Sequence, residues 1–80
     1  MRVGFYGKLA DSIAREVEVE VPGTCTIADL RTRLARLYPH AASDIAAPRS
    51  RACVAGQLVH DGFLVQPGQD VEILAPLSGG

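Results

Sequence analysis

The sequence predicts an α+β roll in which one principal helix, with a short second helix beside it, covers one face of a mixed sheet of about five strands. Three observations carry that expectation. Two β-prone stretches come first, Arg2 to Lys8 (RVGFYGK) and Glu16 to Val21 (EVEVEV). One strongly periodic helical segment follows, TIADLRTRLARLYP. The remainder is cut by glycine and proline into short apolar runs, the last of them Val71 to Leu74.

Glu16 to Val21 alternates glutamate and valine with a period of two, which makes it an amphipathic strand with its valines inward. The span from Leu9 to Arg15 that joins it to the first strand is short enough for a turn or a single helical turn, so the pair is an opening hairpin with a long connection. Pro22 and Gly23 end it. Thr26 is then placed to cap a helix, with Asp29 at the third helical position. Ile27, Leu30, Leu34, Leu37 and Tyr38 fall on one stripe of that helix, and Arg31, Arg33 and Arg36 are assigned to the opposite, solvated side. Pro39 closes it, because the residue before a proline is biased away from helical geometry.

His40 to Ala47 is expected to form the short second helix, stopped by Pro48, with PRSR as an exposed connector. Ala52 to Ala55 and Leu58 to Val59 read as strands around Gly56, and His60-Asp61-Gly62 as a turn. Gln66-Pro67-Gly68-Gln69 suits a type II turn, with proline and glycine at its two central positions. This order describes a ubiquitin-like β-grasp in which the first and last strands lie side by side at the centre of the sheet. Residues 1–75 are expected to form the domain and 76–80 a flexible tail.

Length and charge exclude several classes of function. The 80 residues suffice for one domain, and 48% hydrophobic with 21% charged residues is a foldable composition. Eight basic and nine acidic side chains leave a net charge of −1, so attraction to nucleic acid or anionic lipid is not expected. With no cleavable signal pattern and no long apolar run, a cytoplasmic location without membrane association is the default expectation. Cys25 and Cys53 are far apart and accompanied by no clustered histidines, so no metal site is expected and both thiols read as small buried hydrophobes.

Catalytic chemistry is equally sparse. His40 and His60 lie in no pattern that supplies a nucleophile or an orienting acid, and both read as surface or turn residues. Gly56, Gly62 and Gly68 are turn glycines rather than a phosphate cradle, and no phosphate-binding fingerprint is present. What stands out is the end, APLSGG. From Ala75 to Gly80 an extended chain spans roughly 20 Å, enough to enter another protein's pocket. Gly79 and Gly80 carry no Cβ and fit a channel too narrow for side chains. A terminal carboxylate there is a slim acyl group that becomes reactive once converted to an acyl adenylate.

Over nearly its whole length the chain resembles the small sulfur carriers of the MoaD/ThiS-like family, and among them the small subunit of molybdopterin synthase. The residues that carry this are RVGFYGKLAD, TIADLRTRLARLYP, ACVAGQLV and PGQDVEILAPLSGG. The resemblance implies that Gly80 is the reacting residue. A ubiquitin-activating-type adenylyltransferase, consuming ATP, would adenylate its carboxylate, and a sulfurtransferase would convert it to a thiocarboxylate. The chain would bind no cofactor and would not be catalytic alone. Gly79, Ser78, Leu77 and Pro76 would be inserted into a larger synthase subunit, in a heterotetramer, and Tyr6, Leu58 and Leu74 would dock both partners. The pattern departs from the family at Ala75, where a first proline is usual, and at Ala55-Gly56-Gln57 in place of an Asn-Gln turn. Carriers for thiazole, cysteine, tRNA thiolation and secondary metabolites share the fold, and so do protein modifiers that form isopeptide bonds.

Overall fold

The structure, a computed structural model, describes residues 1–75. Pro76, Leu77, Ser78, Gly79 and Gly80, the expected tail, lie outside the described residues.

Strand β1 (Arg2–Tyr6) leads through the short helix α1 (Lys8–Ser12) to β2 (Glu16–Glu18), which pairs antiparallel with it. The EVEVEV alternation is realised only in part. Val17 faces Val3 across the ladder and Val19 is buried, but the pairing ends where β1 begins, with the Val19 N–H donating to the Met1 carbonyl at 2.8 Å. A strand needs a partner as well as a pattern, and Glu20 and Val21 have none.

The two-residue strand β3 (Cys25–Thr26) then leads into helix α2 (Ile27–Leu37). Its start follows from the capping chemistry read in the sequence. The Asp29 N–H donates to Thr26 Oγ1 at 3.0 Å, and the Thr26 N–H donates back to the Asp29 carboxylate at 3.3 Å. Ile27, Leu30 and Leu34 are fully buried. Leu37 departs from the expected stripe and is 54% exposed, because Tyr38, one position on, takes the inward side of the last turn.

A 3₁₀ turn (Pro39–Ala41) and helix α3 (Ala42–Ala46) follow, and Ala47 adopts an extended conformation ahead of Pro48. Strands β4 (Arg51–Val54), β5 (Gln57–Val59), β6 (Leu64–Val65) and β7 (Val71–Leu74) complete the fold. The main sheet has the order β2-β1-β7-β4-β5, with β7 parallel to β1 and antiparallel to β4. The first and last strands therefore lie side by side, as expected for the ubiquitin-like β-grasp. A separate pair, β3 with β6, was not foreseen, since two residues are too few to show a period.

One face of the sheet, through Val3, Phe5, Ala52, Val54, Val71 and Ile73, packs on Ile27, Leu30 and Leu34 of α2, on Ile45 of α3 and on Leu9 of α1. Two other expectations need correction. PRSR is not wholly exposed, because Ser50 is buried at 1% exposure. Cys25 and Cys53 are free thiols but only half-buried.

The β4–β5 hairpin turns through Ala55 and Gly56, both with positive φ, at 52° and 79°. This is the geometry of a type I′ turn, which prefers Asn-Gly. The left-handed region disfavours alanine by roughly 1 kcal/mol. Replacing Ala55 with Asn is expected to raise stability by about 0.5–1 kcal/mol, seen as a higher urea midpoint at unchanged m-value.

Candidate docking face and donor terminus

Strand alternation sends a second set of side chains to the face that no described helix covers. On β1 these are Arg2, Gly4 and Tyr6, on β7 Glu72 and Leu74, on β4 Arg51 and Cys53, on β5 Leu58, and on β2 Glu16 and Glu18. The register aligns them in rows: Tyr6 opposite Leu74 and Leu74 opposite Arg51, then Gly4 opposite Glu72, Glu72 opposite Cys53 and Cys53 opposite Leu58. Tyr6, Leu58 and Leu74 thus lie on one surface although 68 residues of sequence separate the first from the last. Tyr6 is 50% and Leu58 57% exposed, while Leu74 is half-buried, so none of the three belongs to the core.

The polar groups on this face are mostly paired. Arg2 spans it, with Nε donating to Glu16 at 3.0 Å and Nη1 to Asp70 at 3.4 Å. The Glu16 carboxylate holds the Arg2 guanidinium above its ordinary pKa through that bond and its charge. The Tyr6 hydroxyl donates to Glu72 Oε2 at 2.6 Å. That hydrogen bond, reinforced by the carboxylate charge, raises the phenol's pKa, because ionisation would set two negative oxygens together. The Tyr6 hydroxyl is a fixed donor throughout the physiological range.

Strand β7 ends at the rim of this face. Ala75 leaves the sheet beside Gly7, whose φ is +66° and where a Cβ would stand 3.3 Å from the Ala75 carbonyl oxygen. A side chain at Gly7 would crowd the point where the tail departs. The residues expected to carry the chemistry, Gly79 and Gly80, and those expected to be inserted, Pro76, Leu77 and Ser78, lie outside the described residues.

Elsewhere the described residues assemble no acid, base and nucleophile set. The His40 Nε2 lies 2.8 Å from the Ser12 carbonyl oxygen, tying α1 to the turn before α3. The His60 Nδ1 accepts from the Gly62 N–H at 3.1 Å within its own turn. Burial pushes the Cys25 thiol up in pKa, with the Asp29 charge adding to the effect. No cluster of three or more metal-ligating side chains occurs among the described residues, and no described helix is long and apolar enough to cross a membrane.

Arg31 is the residue that the sequence reading misplaced. Its side chain is only 12% exposed. It donates through Nη1 to the Ile45 carbonyl at 2.6 Å and to Ser50 Oγ, through Nη2 to the Ser50 carbonyl at 2.8 Å, and through Nε to Asp61 at 3.0 Å. Arg33 and Arg36 are exposed as expected. At about 100° per residue, Arg31 sits some 40° from Ile27 and borders the buried stripe, a signal the helical pattern did contain.

The comparisons with known proteins agree with this architecture. The family model of the ThiS family matches residues 3–80, and the chain belongs to that family, whose fold is that of ubiquitin-like sulfur carriers and modifiers. Among solved structures, SAMP1 from Haloferax volcanii is similar at a TM-score of 0.79 and 22% identity, over 99% of this chain and 97% of that one. A second crystal structure, of H. volcanii small archaeal modifier protein 1, is similar at a TM-score of 0.78 and 19% identity, over 95% of each chain. At these identities the likeness establishes the β-grasp fold. No curated protein matches the chain.

Proposed function

We propose that the chain is a sulfur carrier whose Gly80 carboxylate is adenylated and then converted to a thiocarboxylate, serving as the small subunit of molybdopterin synthase in molybdenum cofactor biosynthesis. The observation that carries this reading is the ThiS-family match running through Gly80, joined to an uncovered sheet face at whose rim β7 ends. In the activating step a carboxylate oxygen attacks the α-phosphorus of ATP and pyrophosphate departs, so that the oxide leaving group is replaced by AMP. A sulfide-level nucleophile then attacks the acyl carbon, AMP departs and the thiocarboxylate remains.

Gly80 is the reacting residue in this reading, and Gly79, Ser78, Leu77 and Pro76 form the probe that enters the partner. Tyr6, Leu58 and Leu74 make the docking surface. They serve in turn an adenylyltransferase of the ubiquitin-activating type with its sulfurtransferase, and the larger synthase subunit, with which a heterotetramer forms. Pro76 stiffens the exit by fixing φ.

The test is the intact mass after incubation with ATP, a sulfur source and the activating enzyme of the same genome. The expected change is one oxygen replaced by one sulfur at Gly80, and an unchanged mass with an enzyme active on its other carriers overturns the reading. The likeness to the archaeal modifier proteins favours a second one, in which Gly80 forms isopeptide bonds with lysines. It predicts a ladder of higher-mass conjugates in cell lysate that depends on Gly80. A dedicated carrier gives none.

A further inference from the structure

Glu72 is the exception on the uncovered sheet face. The carboxylates around it have cations: Glu16 and Asp70 share Arg2, and Glu18 meets the Met1 amino group. Glu72 has no ion pair among the described residues, and its one hydrogen bond is the neutral Tyr6 hydroxyl on Oε2, which leaves Oε1 unpartnered there. It is already half-buried, with Gly4 opposite on one side and Cys53 on the other, and Leu58 beyond Cys53. Any protein that covers Tyr6, Leu58 and Leu74 removes the remaining water from this carboxylate. Arg2, bonded to Glu16 and Asp70, lends Glu72 its charge from alongside without an ion pair, so the desolvated carboxylate remains unfavourable, and a well-aligned cation on the covering surface offsets that cost.

We propose that Glu72, oriented by the Tyr6 hydroxyl, is the charged anchor of the docking face and pairs with an arginine or lysine that the activating enzyme presents within an apolar ring. This rests on the carrier reading above. Charge selects the occupant: Glu16, Glu18, Asp70 and Glu72 outweigh Arg2, Arg51 and the Met1 amino group on this side of the sheet, so a second copy of the chain would bring no net positive surface to Glu72. A basic surface is the complement. Tyr6 contributes its ring to the apolar contact and its hydroxyl to the aim of the carboxylate, so one residue serves both parts of the surface.

Calorimetric titration of the genome's own adenylyltransferase, without ATP and at two salt concentrations, tests this with the full chain and the variants E72Q, Y6F and E72K. E72Q is expected to weaken binding by at least about tenfold and to flatten its salt dependence, and E72K to abolish binding. Y6F, which keeps the ring and frees the carboxylate, is expected to weaken it by about threefold. Unchanged circular dichroism separates these effects from misfolding. Binding of E72Q within about twofold of wild type at unchanged salt dependence overturns the anchor, and if Gly80 is still adenylated when ATP is added the carrier reading stands. A wild-type chain that neither binds nor is adenylated overturns both.

Discussion

Replacing Arg31 with alanine is expected to destabilise the domain by about 3 kcal/mol, lowering its melting temperature by roughly 12–24 °C for a chain of this size. The magnitude follows from what the guanidinium satisfies. It is the donor to the Ser50 and Ile45 carbonyls, to the Ser50 hydroxyl and to Asp61, and so joins α2 to the end of α3, to the first residue before β4 and to the turn after β5. Ser50 can still donate to the Ile45 or Ala47 carbonyl from its hydroxyl, but its own buried carbonyl loses its side-chain donor. Lysine keeps the charge without the planar fork and recovers only part of the loss. Thermal unfolding followed by circular dichroism reads the series, and a shift of only a few degrees for the alanine variant would show the network to be dispensable.

Replacing Gly79 with valine is expected to leave the melting temperature unchanged and to slow thiocarboxylate formation by about a hundredfold or more. In the proposed function, valine adds a branched Cβ beside the Gly80 carboxylate, whose oxygen the activating enzyme must hold in line with the α-phosphorus of ATP and the departing pyrophosphate. It also restricts backbone angles that glycine accepts freely. Alanine at the same position is the milder probe and should fall between. The readout is the initial rate of the mass change at Gly80 with activating enzyme and ATP in excess. Equal rates for all three chains would mean that the tail is not threaded through a narrow channel.

The helix start at Thr26 was legible because capping is local: the donor and acceptor groups lie three residues apart, and the structure contains both bonds. The turn at Pro67-Gly68 was legible for the same reason, with Gly68 at φ +90° and the Gln69 N–H donating to the Gln66 carbonyl. The extent of β2 was not, because the length of a strand is set by what lies beside it. Ser50 looked like part of a polar connector because its burial depends on Arg31, nineteen residues away. The apolar members of the proposed docking face rest on a family resemblance, which assigns no role to Glu72. Alternation in VEIL already puts Glu72 and Leu74 on one side, but only the register with β1 brings the Tyr6 hydroxyl to that carboxylate.

The parallel pairing of β1 with β7 has a consequence for quality control. Val3 aligns with Val71 and Tyr6 with Leu74, so the two central strands come from opposite ends of the chain. Such a long closure is slow to form and cannot precede the arrival of the last strand. The proposed docking face takes Tyr6 from β1, Leu58 from β5 and Glu72 and Leu74 from β7, so a chain that has not closed its sheet has no assembled surface to offer. If the chain is the proposed sulfur carrier, a misfolded or truncated copy would therefore escape loading, and sulfur would be committed only to copies whose folding is finished.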